Sequence, residues 1–258
     1  MKVILIGAGR LATNLGKALL EAGHDILQVY SRTMESASAL ATLAGGAPVT
    51  EIEKVRKDAD VYIISVKDSV LPDLVQALCS GRSTKVFLHT AGSVNMDVFA
   101  GMALHYGVFY PMQSFSKEKT VSFHDIPCFV EANDDYARDV LMQLAQGLTT
   151  KIYQLSSEDR KYLHLSAVFA CNFVNHCYAV SYDILKKHGI PFDVMLPLID
   201  ETARKVHVLT PQEAQTGPAV RYDQNVIRAQ SSLLRENPLL KDIYERMSMN
   251  IHRMSEEK

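Results

Sequence analysis

The chain has 258 residues, of which 47% are hydrophobic and 22% are charged, an ordinary globular composition with enough mass for one large or two modest cores. Its formal net charge of −2 lacks the basic surplus that would favour nucleic acid or an anionic membrane surface. No apolar run reaches the roughly 18 residues that a membrane-spanning helix needs, and the first residues predict a strand rather than a signal peptide. We therefore expect a cytoplasmic protein with no nucleic-acid or membrane partner.

The first two predicted elements are a strand at Val3–Ile6 and a helix at Leu11–Ala22, joined by a glycine turn. In this turn, Gly7 permits a tight bend and Gly9 lets the backbone approach a phosphate closely. The helix after the turn offers free amide groups and the positive end of its dipole. A strand, a glycine turn and a helix in this order favour dinucleotide binding, with a fold that has lost its ligand as the alternative. The turn residues predicted to bind the cofactor are Gly7, Gly9, Arg10 and Leu11.

Strands and helices continue to alternate through the first half of the chain. The predicted strands are Ile26–Tyr30, Val61–Ser65, Val86–His89, Gly107–Tyr110, Cys128–Glu131 and Lys151–Leu155, and the predicted helices are Glu35–Ala44, Leu71–Cys79 and Tyr136–Leu148. This alternation predicts an α/β fold, a doubly wound Rossmann domain with a parallel sheet and helices on both faces.

The pattern changes to helices alone after residue 155. Small polar and acidic residues from Ser156 to Asp159 predict a helix start, and that helix should run to about His188. Further helices are predicted at Asp193–Val208, Asp223–Glu236 and Pro238–Met254. We therefore predict two domains, a dinucleotide-binding domain at 1–155 and an all-α domain for substrate binding or dimerisation at 156–258.

The end of the second strand indicates which dinucleotide is bound. NAD sites usually have an acid at this position, but the chain has Ser31, Arg32 and Thr33. An arginine can clamp a 2′-phosphate, and the two hydroxyl groups can donate to it. The predicted cofactor is therefore NADP(H), with a solvated Arg32 as the alternative.

Two loops at the carboxyl edge of the predicted sheet should face the nicotinamide half of the cofactor. They contribute Val66 and Lys67 after one strand, and Ala91 and Gly92 after the next. Lys67 is equally consistent with a surface lysine that has no role in binding.

The long helix carries a polar stripe of Ser157, Lys161, His164, Asn172 and Asn175 among apolar neighbours. At 100° per residue, the last four fall within an arc of about 80°. We assign His164, Lys161 and Asn172 to catalysis, with His164 or Lys161 as the proton donor, and Asn175 to substrate binding. The alternatives are a structural polar network and a helix face turned to water.

Two further segments provide substrate-binding candidates. Arg221 follows the rigid Gly217-Pro218 turn and can bind a carboxylate or phosphate, unless it pairs with Asp223 or Glu213. Tyr110 lies in an aromatic segment that is typical of core but late enough in the sheet to line a cleft.

Cysteine and histidine spacing predicts neither disulfides nor a metal site. None of Cys79, Cys128, Cys171 and Cys177 shows CxxC spacing, so we interpret them as reduced, buried thiols. The nine histidines show no HxH or HExxH spacing.

Four motifs together resemble a known group of proteins. They are Gly7-Ala-Gly9-Arg-Leu-Ala12, His89-Thr-Ala-Gly92, Tyr162-Leu-His164 with Asn172-Phe173, and the segment from Thr216 to Asp223. The first domain resembles the NADP-binding domain of the pyrroline-5-carboxylate reductase and 6-phosphogluconate dehydrogenase superfamily. The whole chain resembles a two-domain Rossmann-like group whose helical domain has no assigned function.

The resemblance implies a homodimer, because related reductases commonly dimerise through their helical domains. Two departures affect what can be transferred. The group often has His-Pro where this chain has Tyr110-Pro111, and Arg-Gly-Asp where it has Arg221-Tyr222-Asp223. The chain also lacks the Ser-Gly-Ser-Gly-Pro-Ala helix start of pyrroline-5-carboxylate reductases, so a role in proline biosynthesis is not transferred.

The leading hypothesis is an NADP-dependent oxidoreductase that moves a hydride between nicotinamide and a small carbonyl or imine substrate in an interdomain cleft. The rival hypothesis is a non-catalytic NADP-binding sensor or assembly protein. A third is a lyase or dehydratase on the same fold.

Overall fold

The computed structural model describes residues 1–119 and 121–256. It divides the chain into two compact units, Met1–His176 and Cys177–Lys258. The first unit extends past residue 155, the predicted domain boundary, because the start of the long helix is hydrogen-bonded to the sheet through Ser157 and Arg160. The separate all-α domain at 156–258 therefore stays a prediction.

Eight strands of the described residues form one sheet in the order β3-β2-β1-β4-β5-β6-β7-β8. Their bounds are β1 Lys2–Ile6, β2 Asp25–Tyr30, β3 Ala47–Val49, β4 Val61–Ile64, β5 Val86–His89, β6 His105–Pro111, β7 Cys128–Ala132 and β8 Ile152–Gln154. The helices that pack on this sheet are α1 Arg10–Glu21, α2 Met34–Ala44, α3 Leu71–Cys79 and α4 Asp135–Gln146. The predicted Rossmann-type fold class is confirmed.

The central strand β1 shows why the sheet has two cores. Its side chains alternate between the faces, so Val3 and Leu5 belong to one buried cluster and Ile4 and Ile6 to the other. A strand that is buried on both faces has a continuous apolar sequence rather than an alternating one. β1 also lies between β2 and β4 in the sheet. Its carboxyl end is therefore central, in the position where ligands bind in open α/β sheets.

The prediction of an entirely parallel sheet was wrong at one pair of strands. β6 and β7 are antiparallel, whereas the neighbouring pairs β5–β6 and β7–β8 are parallel. Antiparallel neighbours need no crossover helix, and the described part of 112–127 contains none. The short strand β3 was not predicted, because Pro48 and the two preceding glycines indicate a loop; proline is tolerated in such an edge strand.

The region after β8 is helical, as predicted, but its helices differ in detail. Their bounds are α5 Ser157–Ala167, a π-helical segment Val168–Phe173, α6 Val174–Lys187, α7 Leu196–Lys205, α8 Pro211–Ala214, α9 Gln224–Leu233 and α10 Pro238–Glu256. The π-helical segment interrupts the single long helix that was predicted. α7 starts later than the predicted Asp193. An α-helix that began there would need an N–H at residue 197 to donate to the carbonyl of residue 193, and Pro197 has none.

No helix was predicted at the position of the short helix α8, although its sequence carries a capping signal. Thr210 and Glu213 form a reciprocal capping box, and Pro211 occupies the first helical turn, where a missing N–H does no harm.

The interpretation of all four cysteines as buried was wrong. Cys79 and Cys128 are buried, but Cys171 and Cys177 are exposed on the long helix. Among the described helices, none is long and apolar enough to span a membrane.

Candidate functional site

The glycine turn after β1 has the geometry of a phosphate cradle. Gly7 has a φ of +110°, and a Cβ at this position would lie 2.1 Å from the carbonyl oxygen of Ser65, so no other residue fits. A Cβ at Gly9 would meet nothing within 4 Å, so this residue faces open space. Gly9 also starts α1 without a side-chain cap, which leaves amide groups at the helix N-terminus available to an anion.

A cavity of about 560 Å³ lies at the carboxyl edge of the sheet, directly against this turn. Its volume is in the range that binds small molecules and cofactors. Twelve residues predicted from the sequence line it: Gly7, Gly9, Arg10, Leu11, Ser31, Arg32, Val66, Lys67, Ala91, Gly92, Tyr110 and His164. The structure therefore brings the glycine turn, the ends of four strands and one residue of α5 together in one site.

The end of β2 lines the part of the cavity that suits a 2′-phosphate. Ser31 and Arg32 lie in the lining, and the β2–α2 segment contributes no carboxylate to it. Thr33 does not line the cavity, and its hydroxyl caps α2 by accepting from the N–H of Ser36, so its predicted role toward the 2′-phosphate stays a prediction. Ser36 lines the cavity instead, and the predicted helix start could have suggested it.

At the opposite end of the cavity, His164 of α5 meets Tyr110 of β6. The Tyr110 hydroxyl and the Nδ1 atom of His164 lie 3.0 Å apart. Burial raises the pKa of Tyr110, so the phenol keeps its proton at neutral pH. His164 also packs against the loop after β5, since a Cβ at Gly92 would lie 2.4 Å from Nδ1. The glycine is therefore required for the approach of the histidine.

The loops after β4 and β5 complete this end of the cavity. Lys67 lies in the lining beside Asp68, whose carboxylate accepts a hydrogen bond from Ser93. Sequence reasoning had pointed to these two loops but had not selected Asp68 or Thr90, which also lines the cavity. The other lining residues that it missed are Ala8, Tyr30, Ser65, Val70 and Leu74.

The predicted polar stripe does not enter the cavity as a set. Lys161 pairs with Glu158 at 2.7 Å on the exposed surface. Asn172 and Asn175 are exposed, and neither lines the cavity. The arc predicted for these residues assumed uniform α-helix, but the π-helical segment Val168–Phe173 adds about one residue per turn and rotates the rest of the helix by roughly 100°. His164 and Asn175 therefore do not share a face.

Arg221 lies in the second unit, in a loop held by its own backbone. The N–H of Asp223 donates to Pro218, and Tyr222 adopts a left-handed φ of +50° with its ring stacked on His252 at 4.2 Å. Asp223 uses its carboxylate to cap α9, and Glu213 uses its own in the capping box of α8. Both carboxylates that were considered as partners of Arg221 thus make other hydrogen bonds.

Metal ligands are not grouped anywhere in the described residues, where no cluster of three or more His, Cys, Asp or Glu side chains could hold an ion. The cavity suits an organic anion instead. Its glycine turn, helix N-terminus and Arg32 match the phosphates of a dinucleotide, and the fit is a property of backbone geometry rather than of a motif alone.

Comparisons with known proteins agree with this geometry. Residues 2–91 match the family described as NADP oxidoreductase, coenzyme F420-dependent, and residues 126–251 match a domain of unknown function. A search of curated proteins finds no match. Among solved structures, a candidate NADP oxidoreductase from Bacteroides fragilis shares 50% identity, with 98% of each chain covered and a TM-score of 0.94.

Two more distant structures show the same fold. A protein from Thermotoga maritima is 21% identical with a TM-score of 0.76, over 99% of this chain and 100% of that one. An imine reductase from Myxococcus stipitatus, solved with NADP+, is 15% identical with a TM-score of 0.71, over 100% of this chain and 95% of the reductase. At half-identity over nearly its full length, this chain belongs to the same family as the Bacteroides fragilis protein, a family of NADP oxidoreductases in which a Rossmann-type domain precedes a helical domain of unknown function.

Proposed function

We propose that this protein uses NADPH to reduce a small carbonyl or imine compound at the His164 end of the cavity. The observation that carries the proposal is the hydrogen-bonded pair of Tyr110 and His164, which lies in the same cavity as the phosphate cradle. Membership of an NADP oxidoreductase family makes NADP(H) the cofactor, and the substrate class is our inference. The comparisons give no substrate for this chain.

The residues around the cavity divide into three groups by the part of the dinucleotide that they would hold. Gly7, Gly9 and the N-terminus of α1 would hold the pyrophosphate through backbone amides. Ser31, Arg32 and Ser36 would hold the 2′-phosphate. The loops that carry Lys67 and Gly92 would face the nicotinamide, which supplies a hydride when it is bound.

His164 and Tyr110 would provide the proton that the reduction needs. Because Nδ1 of His164 is hydrogen-bonded to Tyr110, Nε2 would be the nitrogen that donates to a substrate. We assign His164 as the donor to the substrate oxygen or nitrogen, and Tyr110 as the group that orients the imidazole through its hydrogen bond to Nδ1. A carbonyl carbon that accepts a hydride and an oxygen that accepts this proton together give an alcohol, and an imine gives an amine in the same way.

Five sequence candidates lie outside this cavity, and their roles stay predictions: Thr33, Lys161, Asn172, Asn175 and Arg221. We also propose a homodimer. Large apolar side chains on the long helix are exposed, including Tyr162 at 68% and Phe169 at 61%, which is unusual for the surface of a monomer. Light scattering of the wild type and of Phe169→Asp would test this, since a charge on the interface should give the monomer.

The function is tested first by binding and then by turnover. Isothermal titration with NADPH, NADP+, NADH and NAD+ should give affinity for the two phosphorylated forms above the other two. A screen of small carbonyl and imine compounds should then reveal oxidation of NADPH as a loss of absorbance at about 340 nm. Binding of NADPH without turnover of any compound would favour the non-catalytic sensor, and no binding would contradict the proposal.

A further inference from the structure

The most deeply buried charged side chain in the described residues is one that the mechanism has not used. Arg160 of α5 has a side chain that is 1% exposed, and its Nη1 atom donates to the carboxylate of Glu131 on β7 at 2.7 Å. A buried guanidinium loses its hydration, so an ion pair in this position is maintained only with good geometry and further hydrogen bonds. Arg160 therefore holds its surroundings in a defined arrangement.

This ion pair fixes the loop after β5 at two backbone positions. The Nη2 atom of Arg160 donates to the carbonyl oxygen of Val94. The hydroxyl of Ser157 donates to Glu131 at 2.6 Å and accepts from the N–H of Met96 at 3.1 Å. Glu131 thus organises both side chains, Arg160 and Ser157, that bind the loop.

A third contact fixes the same loop closer to the cavity. The N–H of Ala91 donates to Nδ1 of the buried His89 at 3.1 Å. Burial, assisted by the positive charge of Arg160, lowers the pKa of His89 to about 3, so its imidazole stays neutral and Nδ1 remains an acceptor. The loop is therefore held on both sides of Gly92.

The same ion pair also determines where His164 lies. Arg160 and His164 are four residues apart on α5, so they project from the same side of the helix one turn apart. Arg160 is anchored to the sheet through Glu131, and His164 packs directly over Gly92. The Arg160–Glu131 pair is therefore connected both to His164 and to the Gly92 loop, which contact each other at this end of the cavity.

We infer that Arg160 and Glu131 are positioning residues for the nicotinamide end of the site, holding the Gly92 loop and His164 at their mutual distance. The inference rests on the proposed function, because the nicotinamide is assigned to this end by that proposal. The phosphate end is built from other residues and does not depend on this pair.

The experiment compares two ligands on the full chain by isothermal titration. NADPH contacts both ends of the site, whereas 2′,5′-ADP carries the adenosine half and its phosphates without nicotinamide. Arg160→Lys keeps a cation against Glu131 but lacks the fork that also reaches Val94. A double variant, Arg160→Met with Glu131→Gln, removes both charges, so no buried charge is left unpaired.

Both variants should bind NADPH about tenfold more weakly, since a charge-assisted hydrogen bond to the loop is lost, and bind 2′,5′-ADP as the wild type does. The fluorescence of bound NADPH should change in the same variants. The matched control is Arg138→Met, which breaks an exposed pair with Asp135 on α4 and should alter neither affinity.

If the variants bound NADPH and 2′,5′-ADP more weakly by the same factor, the inference would be overturned, because this would indicate general destabilisation of the fold. Unchanged NADPH affinity in both variants would overturn it as well. A wild-type chain that binds 2′,5′-ADP but not NADPH, or neither ligand, would overturn the proposed function itself, and this result is obtained before any variant is made.

Discussion

The two ends of the cavity are built in different ways. The phosphate end consists of backbone from consecutive residues, in which Gly7 and Gly9 shape a turn and α1 supplies its amide groups. The end that we assign to the nicotinamide consists of side chains and loops from separate elements, in which Tyr110, His164 and Gly92 meet. The first end should therefore respond to changes of backbone conformation, and the second to loss of particular side-chain atoms.

The largest effect should come from Gly7→Ala, which attacks the backbone-built end. The new Cβ would overlap the Ser65 carbonyl in addition to the strain of a positive φ, so we expect about 3 kcal/mol or more of lost unfolding free energy and loss of NADPH binding. Gly23→Ala is the matched control, because its φ of +78° carries the strain but nothing lies within 4 Å. Urea unfolding and titration with NADPH measure both; equal effects of the two substitutions would contradict the proposed overlap.

The next effect should come from His164→Ala at the side-chain-built end. Loss of the proton donor should lower kcat by about 100-fold or more, with the affinity for 2′,5′-ADP unchanged because the phosphate end is intact. Tyr110→Phe should lower kcat less, since it removes only the bond that orients the imidazole. Steady-state kinetics on a substrate from the screen measures this, and His124→Ala on the exposed surface serves as the control. Full activity of His164→Ala would rule out its assignment.

A pH effect should arise from His89, which supports the same end. Its pKa is lowered in the folded chain to about 3 from an ordinary 6.5, so between these values the unfolded chain binds the additional proton and stability falls as pH falls. Between pH 7.5 and pH 5, the unfolding free energy of the wild type should fall by about 2 kcal/mol more than that of His89→Asn. Urea unfolding of both proteins at the two pH values tests this, and identical pH dependence would contradict a buried neutral histidine.

The smallest effect should come from Arg32→Ala, which removes one side chain from the phosphate end. The preference for NADPH over NADH should fall about tenfold, the effect of one charge-assisted hydrogen bond, while NADH affinity stays the same. Arg56→Ala, which breaks an exposed pair with Asp58, is the control. An unchanged preference would mean that Arg32 is a solvated loop residue.

Much of the first half of the chain could be predicted from its sequence. The predicted strand Val86–His89 and the predicted helix Leu71–Cys79 coincide with β5 and α3, because buried strands and amphipathic helices are recorded in local hydrophobic patterns. The order of the sheet was less accessible, and the antiparallel pair β6–β7 depends on a long connection whose path has no local signal.

The polar stripe shows where periodicity fails. The arithmetic of 100° per residue is valid up to Ala167, and it fails over the π-helical segment, where hydrogen bonds run to the fifth rather than the fourth residue. Nothing in the sequence of Val168–Phe173 distinguishes it from ordinary helix. Asn175 was therefore placed beside His164 by an assumption that the backbone does not follow.

The sequence by itself was enough to predict the glycine turn, the Rossmann-type alternation and NADP(H) as the cofactor. These features depend on residues that are close together in the chain, so local sterics and hydrogen bonding are enough to specify them. Only the tertiary structure decided that Tyr110 meets His164, 54 residues away, and that Arg160 pairs with Glu131, 29 residues away. Such pairs form when the packing of helices on a sheet brings distant side chains into one buried volume, and no local pattern records which of them will meet.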